Sequence, residues 1–140
     1  MKILVADDDN LMLLAISKKL KLKGYSDVIS VNNGMSALNF IQENKTDLLI
    51  CDVMMPGLSG LALLSVLKEF HFHRIPVILI SSLDHNTLIS KSIGIGAFDF
   101  IVKPIDFKQL FLKIETLHTA TVITEKKLPS KLGDTFQKST

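Results

Sequence analysis

The amino-acid sequence predicts an α/β fold in which helices cover both faces of a central parallel sheet. Short apolar runs recur along the chain, and several of them show no polar alternation, which is typical of strands that are covered on both faces. The stretches between these runs carry apolar residues at helical spacing. Regular alternation of strands and helices indicates a parallel sheet with right-handed crossovers.

The five apolar runs are the predicted strands. Each is short enough for a buried strand and is followed by polar or turn-forming residues. In chain order they are Ile3–Ala6, Val28–Val31, Leu48–Cys51, Val77–Ile80 and Phe98–Val102.

A helix is predicted after each strand. In the first predicted helix, apolar residues are expected to form one stripe along the side that faces the core, and Gly24 is expected to end the helix. Asp9, Ser59 and Asp106 are helix start signals, because a short polar side chain can accept hydrogen bonds from the first free amides. The stripe is Leu11, Leu14, Ile16, Leu20 and Leu22, and the other predicted helices are Gly34–Gln42, Leu61–Phe70, His85–Ile93 and Phe107–Leu117.

Composition bounds the class of protein. The chain has 140 residues, 47% of them hydrophobic, and a formal net charge of +2, so one folded domain is expected and direct nucleic-acid binding is not. A single cysteine, no signal peptide and no apolar run long enough for a membrane span lead us to expect a cytoplasmic protein with no membrane contact. We expect a domain over 1–118 and a polar tail or linker over 119–140. His71 and His73 are expected to be exposed in a loop.

Chemically active side chains follow the predicted strands. Asp7 and Asp8 follow the first strand, and Asp52 the third, while Ser81 and Lys103 follow the fourth and fifth. Among doubly wound (βα)5 folds, the flavodoxin-like strand order 2-1-3-4-5 is common, and ligands bind beyond the carboxyl ends of the strands where the order reverses. In that order these side chains meet at one edge of the sheet.

A cluster of carboxylates at that edge predicts a metal site. Carboxylates at close range repel unless a cation lies among them, and an all-oxygen cluster suits Mg²⁺, which often bridges to a phosphate. Asp52 could then act as a nucleophile that accepts a phosphoryl group, with Lys103 and Ser81 holding the phosphoryl oxygens.

Four segments in order, ILVADDD, LLICDVMMPGLSG, PVILISS and GAFDFIVKP, resemble the receiver domain of bacterial two-component response regulators, which is also called CheY-like. The resemblance extends over residues 1 to about 118. It implies that Asp52 is the phosphoacceptor, and that Asp7 and Asp8 are the acidic pair that positions Mg²⁺ together with the backbone carbonyl of Met54. Asp9 does not match that pair, and we expect it to cap the first helix.

The resemblance also implies a switch and its partners. Ser81 matches the switch hydroxyl, Lys103 the family's lysine and Phe100 the switch aromatic. A sensor histidine kinase or a histidine phosphotransfer protein would be the donor. Phosphorylation would change a protein-interaction face of helix four, strand five and helix five, which would control an unknown output domain or protein, with a phosphorylation-dependent dimer as one form of response.

The resemblance implies a signalling domain, not an enzyme with an external substrate, and three alternatives are open. A phosphohydrolase that uses an aspartyl phosphate would place its nucleophile after the first strand, where Asp7 and Asp9 satisfy D-x-D, but the chain has little room for a cap. A receiver-like module could work by contact without phosphorylation, although every phosphorylation residue is present. A flavodoxin would need an uncharged phosphate loop where this chain has DDDNLM.

Overall fold

The central sheet has five parallel strands in the order β2-β1-β3-β4-β5. The computed structural model describes residues 1–70, 74–83 and 86–119. This order confirms the doubly wound, flavodoxin-like fold expected from the sequence. The strands are β1 (Lys2–Ala6), β2 (Asp27–Val31), β3 (Leu48–Asp52), β4 (Val77–Ser81) and β5 (Asp99–Val102).

The helices alternate with the strands. Three of the first four begin at side-chain caps: Asp9 accepts hydrogen bonds from the amides of Leu11 and Met12, Asn33 from that of Ser36, and Ser59 from that of Ala62. The caps at Asp9 and Ser59 confirm the sequence prediction, whereas Asn33 was not singled out. The first four helices are α1 (Asn10–Leu22), α2 (Gly34–Glu43), α3 (Gly60–Glu69) and α4 (Asn86–Ile95).

The core is densest on β3 and β4, where every residue is buried. One hydrophobic cluster joins strand residues such as Leu49 and Leu79 with Ala37 of α2 and Leu63 of α3. Leu4 and Leu49, which are register partners, are fully buried. Burial on both faces explains why these strands lack polar alternation.

The stripe predicted for α1 was wrong in part. Leu11, Leu14 and Leu22 are 79%, 66% and 76% exposed, while Leu13 is buried together with Ile16 and Leu20. Leu13, Ile16 and Leu20 are spaced three and four apart, which places them on one face. Because α1 is apolar at two overlapping sets of positions, the sequence pattern alone did not decide which set faces the core.

The observed boundaries of α4 and β5 differ from the predicted ones by one or two residues. Helix α4 continues to Ile95, past its predicted end at Ile93, and ends before Gly96, which has a φ of +124°. Strand β5 begins at Asp99, one residue after the predicted start, although the amide of Phe98 still donates to the carbonyl of Val77 at 2.8 Å. Gly24 after α1 has a φ of +108°, as a helix-ending glycine requires.

The chain divides into two compact units, Met1–Ile105 and Asp106–Thr140. The second begins with a helix, α5, over 107–119, and the Asp106 carboxylate accepts a hydrogen bond from the amide of Lys108 at 3.0 Å. Leu110, Ile114 and Leu117 are buried, and their spacing of three and four places them on one side of this helix.

Some predictions fall outside the described residues. These are the exposed loop around His71 and His73, the start of the fourth helix at His85, and nearly all of the tail predicted over 119–140. Among the described residues, no helix combines the length and apolar character needed to cross a membrane.

Candidate functional site

The register of the sheet brings the predicted site residues to one edge. Ala6, the last residue of β1, pairs with Cys51 of β3, so Asp7 and Asp52 follow on neighbouring strands. Asp52 pairs with Ile80, one residue before Ser81, and Ser81 pairs with Val102, one residue before Lys103. In a parallel sheet these carboxyl ends open on the same side, as the sequence predicted.

Three carboxylates form the centre of the site. Asp7, Asp8 and Asp52 each present an oxygen, and these oxygens all lie within 4.8 Å of one another. Asp7 and Asp52 are buried, with 2% and 6% of their surface exposed, while Asp8 is open to solvent. Asp9 caps α1 as expected, and its amide donates to Asp7 Oδ1 at 2.9 Å, which holds the Asp7 carboxylate in place.

Lys103 is the cation beside this cluster. Its Nζ lies 3.3 Å from Asp7 Oδ2 and 3.6 Å from Asp52 Oδ1. The peptide bond between Lys103 and Pro104 is cis. One ammonium facing three carboxylates leaves the cluster with excess negative charge.

The pKa of the Asp52 carboxyl is raised above its ordinary value. Burial is the largest cause, because it removes the charged form from water, and the negative charge of Asp7 is the next. Lys103 opposes the rise, Asp8 adds to it, and a hydrogen bond from the Met54 backbone opposes it. Burial also raises the pKa of the neighbouring Cys51 thiol, so this cysteine is a buried apolar group.

The donor set fits a hard divalent cation. Three carboxylates within reach of one another, one of them open to solvent, provide oxygen ligands and an access path. Burial and then the negative charge of Asp7 raise the pKa of Asp52, and a bound cation would stabilise the ionised carboxylate against both. The acidic pocket could therefore bind a metal ion.

Ser81 and Phe100 lie on the two strands next to this cluster. Ser81 is fully buried, and its hydroxyl oxygen accepts a hydrogen bond from the amide of Leu83 at 3.0 Å. Phe100 is 8% exposed and belongs to the hydrophobic core cluster. The switch roles expected for these two residues stay predictions.

Two residues near the site were missed by the sequence reasoning. An added Cβ at Gly60 would overlap the backbone carbonyl oxygen of Asp52, and one at Gly34 would overlap that of Leu58. The only signal in the sequence is a glycine directly after a capping residue, Ser59 or Asn33, and glycine at such positions is too common to be informative.

Comparison with known proteins gives a consistent result. The family model for the response regulator receiver domain matches residues 3–115. The chain is 31% identical, over 96% of its length, to the transcriptional regulatory protein ZraR of Escherichia coli O157:H7, and 34% identical, over 81%, to a cyclic di-GMP phosphodiesterase of Thermotoga maritima. It spans 30% of the length of each of these two relatives.

Solved structures agree with the sequence comparison. A receiver domain of a Francisella response regulator superposes with a TM-score of 0.81 at 32% identity, covering 86% of this chain and 98% of that one. The beryllofluoride-activated DrrB receiver domain gives a TM-score of 0.75 at 29% identity, covering 84% and 97%.

Proposed function

This chain belongs to the family of response regulator receiver domains, and we propose on that basis that it accepts a phosphoryl group on Asp52. The donor would be a sensor histidine kinase or a histidine phosphotransfer protein. The observation that carries the proposal is the grouping of Asp7, Asp8 and Asp52 around one point, with Lys103 beside them.

The cofactor in this proposal is Mg²⁺. The carboxylates of Asp7, Asp8 and Asp52 and the backbone carbonyl of Met54 would hold it. When bound, Mg²⁺ would neutralise charge on the phosphoryl oxygens and balance the carboxylates.

The chemistry follows from the position of Asp52. A carboxylate oxygen of Asp52 attacks phosphorus, and an O–P bond forms as the N–P bond to the donor histidine breaks. The leaving imidazole nitrogen keeps the electron pair and takes up a proton. Lys103 Nζ, which lies within 4 Å of both Asp7 and Asp52, would hold a phosphoryl oxygen after transfer.

The response to phosphorylation would begin at Ser81. Its hydroxyl, which now accepts from the Leu83 amide, would turn to donate to a phosphoryl oxygen, and the space it leaves would admit the side chain of Phe100. This is a shift between two populations of the same fold. It would alter the protein-interaction face expected from the sequence and so control an output domain or protein.

In this proposal the chain acts as a phosphoacceptor domain that would catalyse only its own phosphorylation and dephosphorylation. The phosphodiesterase relative is more than three times as long as its match to this chain, so its activity does not transfer to residues 1–119. We place the protein in the cytoplasm, where such donors act, and treat residues 119–140 as a linker or tail.

Intact-mass spectrometry after incubation with Mg²⁺ and acetyl phosphate tests this function. The wild-type chain should gain one phosphoryl group, and Asp52→Asn should gain none. Asp27→Asn is a matched control, because Asp27 is exposed and begins β2 at the opposite end of the strands. EDTA should abolish the adduct. A wild-type adduct that persists in Asp52→Asn would refute the assignment of the acceptor.

A further inference from the structure

The segment Asp52–Leu58 begins at the last residue of β3 and contains two groups of the proposed site, the Asp52 carboxylate and the Met54 carbonyl. Val53 and Met55 are buried in the hydrophobic core cluster, while Met54 between them is exposed. The Met54 backbone hydrogen-bonds the Asp52 carboxylate, which lowers the pKa of that group and opposes the larger effects of burial and Asp7. The path of this backbone therefore determines where the acceptor and the Met54 carbonyl lie.

Gly60, the first residue of α3, packs directly against the start of this segment. A Cβ at Gly60 would overlap the carbonyl oxygen of Asp52 and lie 2.9 Å from the Cα of Val53. The amide of Gly60 also donates to the carbonyl of Val53 at 2.9 Å. The missing side chain is what allows the helix start to approach the acceptor backbone so closely.

Gly34, the first residue of α2, packs in the same way against the far end of the segment. A Cβ there would overlap the carbonyl oxygen of Leu58 and lie 3.0 Å from the Leu58 Cβ. Asn33 fixes the helix start, because its side chain accepts from the Ser36 amide at 2.8 Å. The overlapping atoms at both glycines belong to backbone, which cannot rotate away as the end of a flexible side chain can.

We propose that Gly34 and Gly60 are positioning residues for the phosphoacceptor site: two helix starts without side chains hold the Asp52–Leu58 segment from its two ends. The proposal rests on the proposed function, because it assigns these glycines to the same metal and acceptor site. Mg²⁺ requires near-ideal octahedral geometry, so a displaced Met54 carbonyl or Asp52 carboxylate weakens binding.

The test uses the full chain with Gly60→Ala and Gly34→Ala, and with Gly94→Ala as the matched control. Gly94 lies in α4, and an added Cβ there would meet no atom within 4 Å. Mg²⁺ alone is titrated by calorimetry, labelling by acetyl phosphate is timed at saturating Mg²⁺, and urea unfolding followed by circular dichroism reports the folded fraction.

The expected result is a loss of about ten-fold or more in Mg²⁺ affinity for Gly60→Ala and for Gly34→Ala, measured under conditions where each is folded. Labelling at saturating Mg²⁺ should also slow by about ten-fold, since a displaced acceptor is not corrected by more metal. Gly94→Ala should match the wild type within about two-fold in both measurements.

Wild-type affinity and labelling rate in both folded variants would overturn the proposal. If one of the two glycine variants does not fold at 10 °C, the Mg²⁺ affinity and labelling rate of the other variant test the proposal. If neither variant folds, the proposal is overturned, because a positioning role requires that the protein still fold when the segment is displaced. A wild type that binds Mg²⁺ but takes no label would defeat the proposed function alone, and the Mg²⁺ affinities would still decide the role of the glycines. A wild type that binds no Mg²⁺ would defeat both.

Discussion

Replacement of Asp52 by asparagine should stabilise the metal-free protein. In the folded chain, burial and the neighbouring Asp7 raise the pKa of the Asp52 carboxyl, so its ionised form is disfavoured there relative to the unfolded chain. Asparagine keeps the shape and an oxygen that can accept the hydrogen bond from the Met54 backbone, but it carries no charge. The variant therefore removes a penalty that the wild type carries.

The distances give the size of the effect. At an effective dielectric constant of about 20, two carboxylate oxygens at 4.8 Å, the upper limit of the separations in the cluster, repel by about 3 kcal/mol. Lys103 at 3.6 Å attracts Asp52 by about 5 kcal/mol on the same basis. Asp52 faces two carboxylates and one ammonium, so a small net repulsion remains, to which burial of the charge adds. From this Coulomb balance we expect Asp52→Asn to increase the free energy of unfolding by about 1–2 kcal/mol at pH 7.

The pH dependence has a definite sign. Below the ordinary carboxyl value of about 3.9 the group is protonated in both the folded and the unfolded chain, so the penalty is absent. As the pH rises from that ordinary value to the raised pKa of the folded state, the wild type loses stability and the asparagine variant does not. The difference between the two chains should therefore be small near pH 4 and grow as the pH rises.

Urea unfolding in EDTA, followed by far-UV circular dichroism between pH 4 and pH 7.5, measures this difference. Asp27→Asn is the control, and it should change stability by less than about 0.5 kcal/mol. With Mg²⁺ at ten times its dissociation constant, the wild type should gain about 1.4 kcal/mol and the asparagine variant less. An asparagine variant no more stable than the wild type at pH 7, or a difference that grows toward acid, would refute the reasoning.

Three further predictions follow from the site and the fold. Lys103→Met should slow labelling by acetyl phosphate about ten-fold or more, because no ammonium would hold the phosphoryl oxygen. The same variant should tighten Mg²⁺ binding in calorimetry, because it removes a cation from the acidic cluster. An unchanged labelling rate together with an unchanged Mg²⁺ affinity would contradict the role of Lys103. Leu13→Ala should cost about 2–4 kcal/mol in urea unfolding, whereas Leu14→Ala should cost less than about 0.5 kcal/mol, and equal costs would contradict the corrected face of α1. Self-hydrolysis of the phosphoryl group should be slow to moderate in a chase followed by intact mass, because the apolar side chains of Met54 and Leu83 should limit access of water to the acyl phosphate. A half-life of seconds would count against this.

The sheet and the site edge could be predicted because they depend on local signals that agree with one another. Runs such as Leu48–Cys51 have no polar alternation, since both faces of their strands are buried, and each active side chain directly follows a run. Once the strand order is assumed, the parallel register brings Asp7, Asp52 and Lys103 to one edge without any further information. Their closeness is a consequence of topology, and topology was the predictable part.

The buried face of α1 could not be predicted for a physical reason. Apolar residues occupy all four positions from Leu11 to Leu14, so two helical faces have similar hydrophobicity. The choice between them depends on which face the neighbouring strands cover, and this is decided by tertiary packing. Leu13 reaches the core and Leu14 does not, although the two side chains are chemically the same.

The glycines at the helix starts show a second limit, which bears on function. A carboxylate can be recognised in a sequence because the side chain itself carries the charge. The role of Gly60 instead depends on a neighbour in the fold, since the Asp52 carbonyl oxygen occupies the space that a side chain at position 60 would fill. The carboxylates of the acidic cluster repel one another, and a cation would reduce that repulsion. The carboxylates stay close enough to share a cation only if the backbone at Asp52 does not move away from Asp7. Close packing of α2 and α3 against both ends of the Asp52–Leu58 segment resists that relaxation. In the proposed function the charges supply the chemistry, and in our inference Gly34 and Gly60 keep those charges in position.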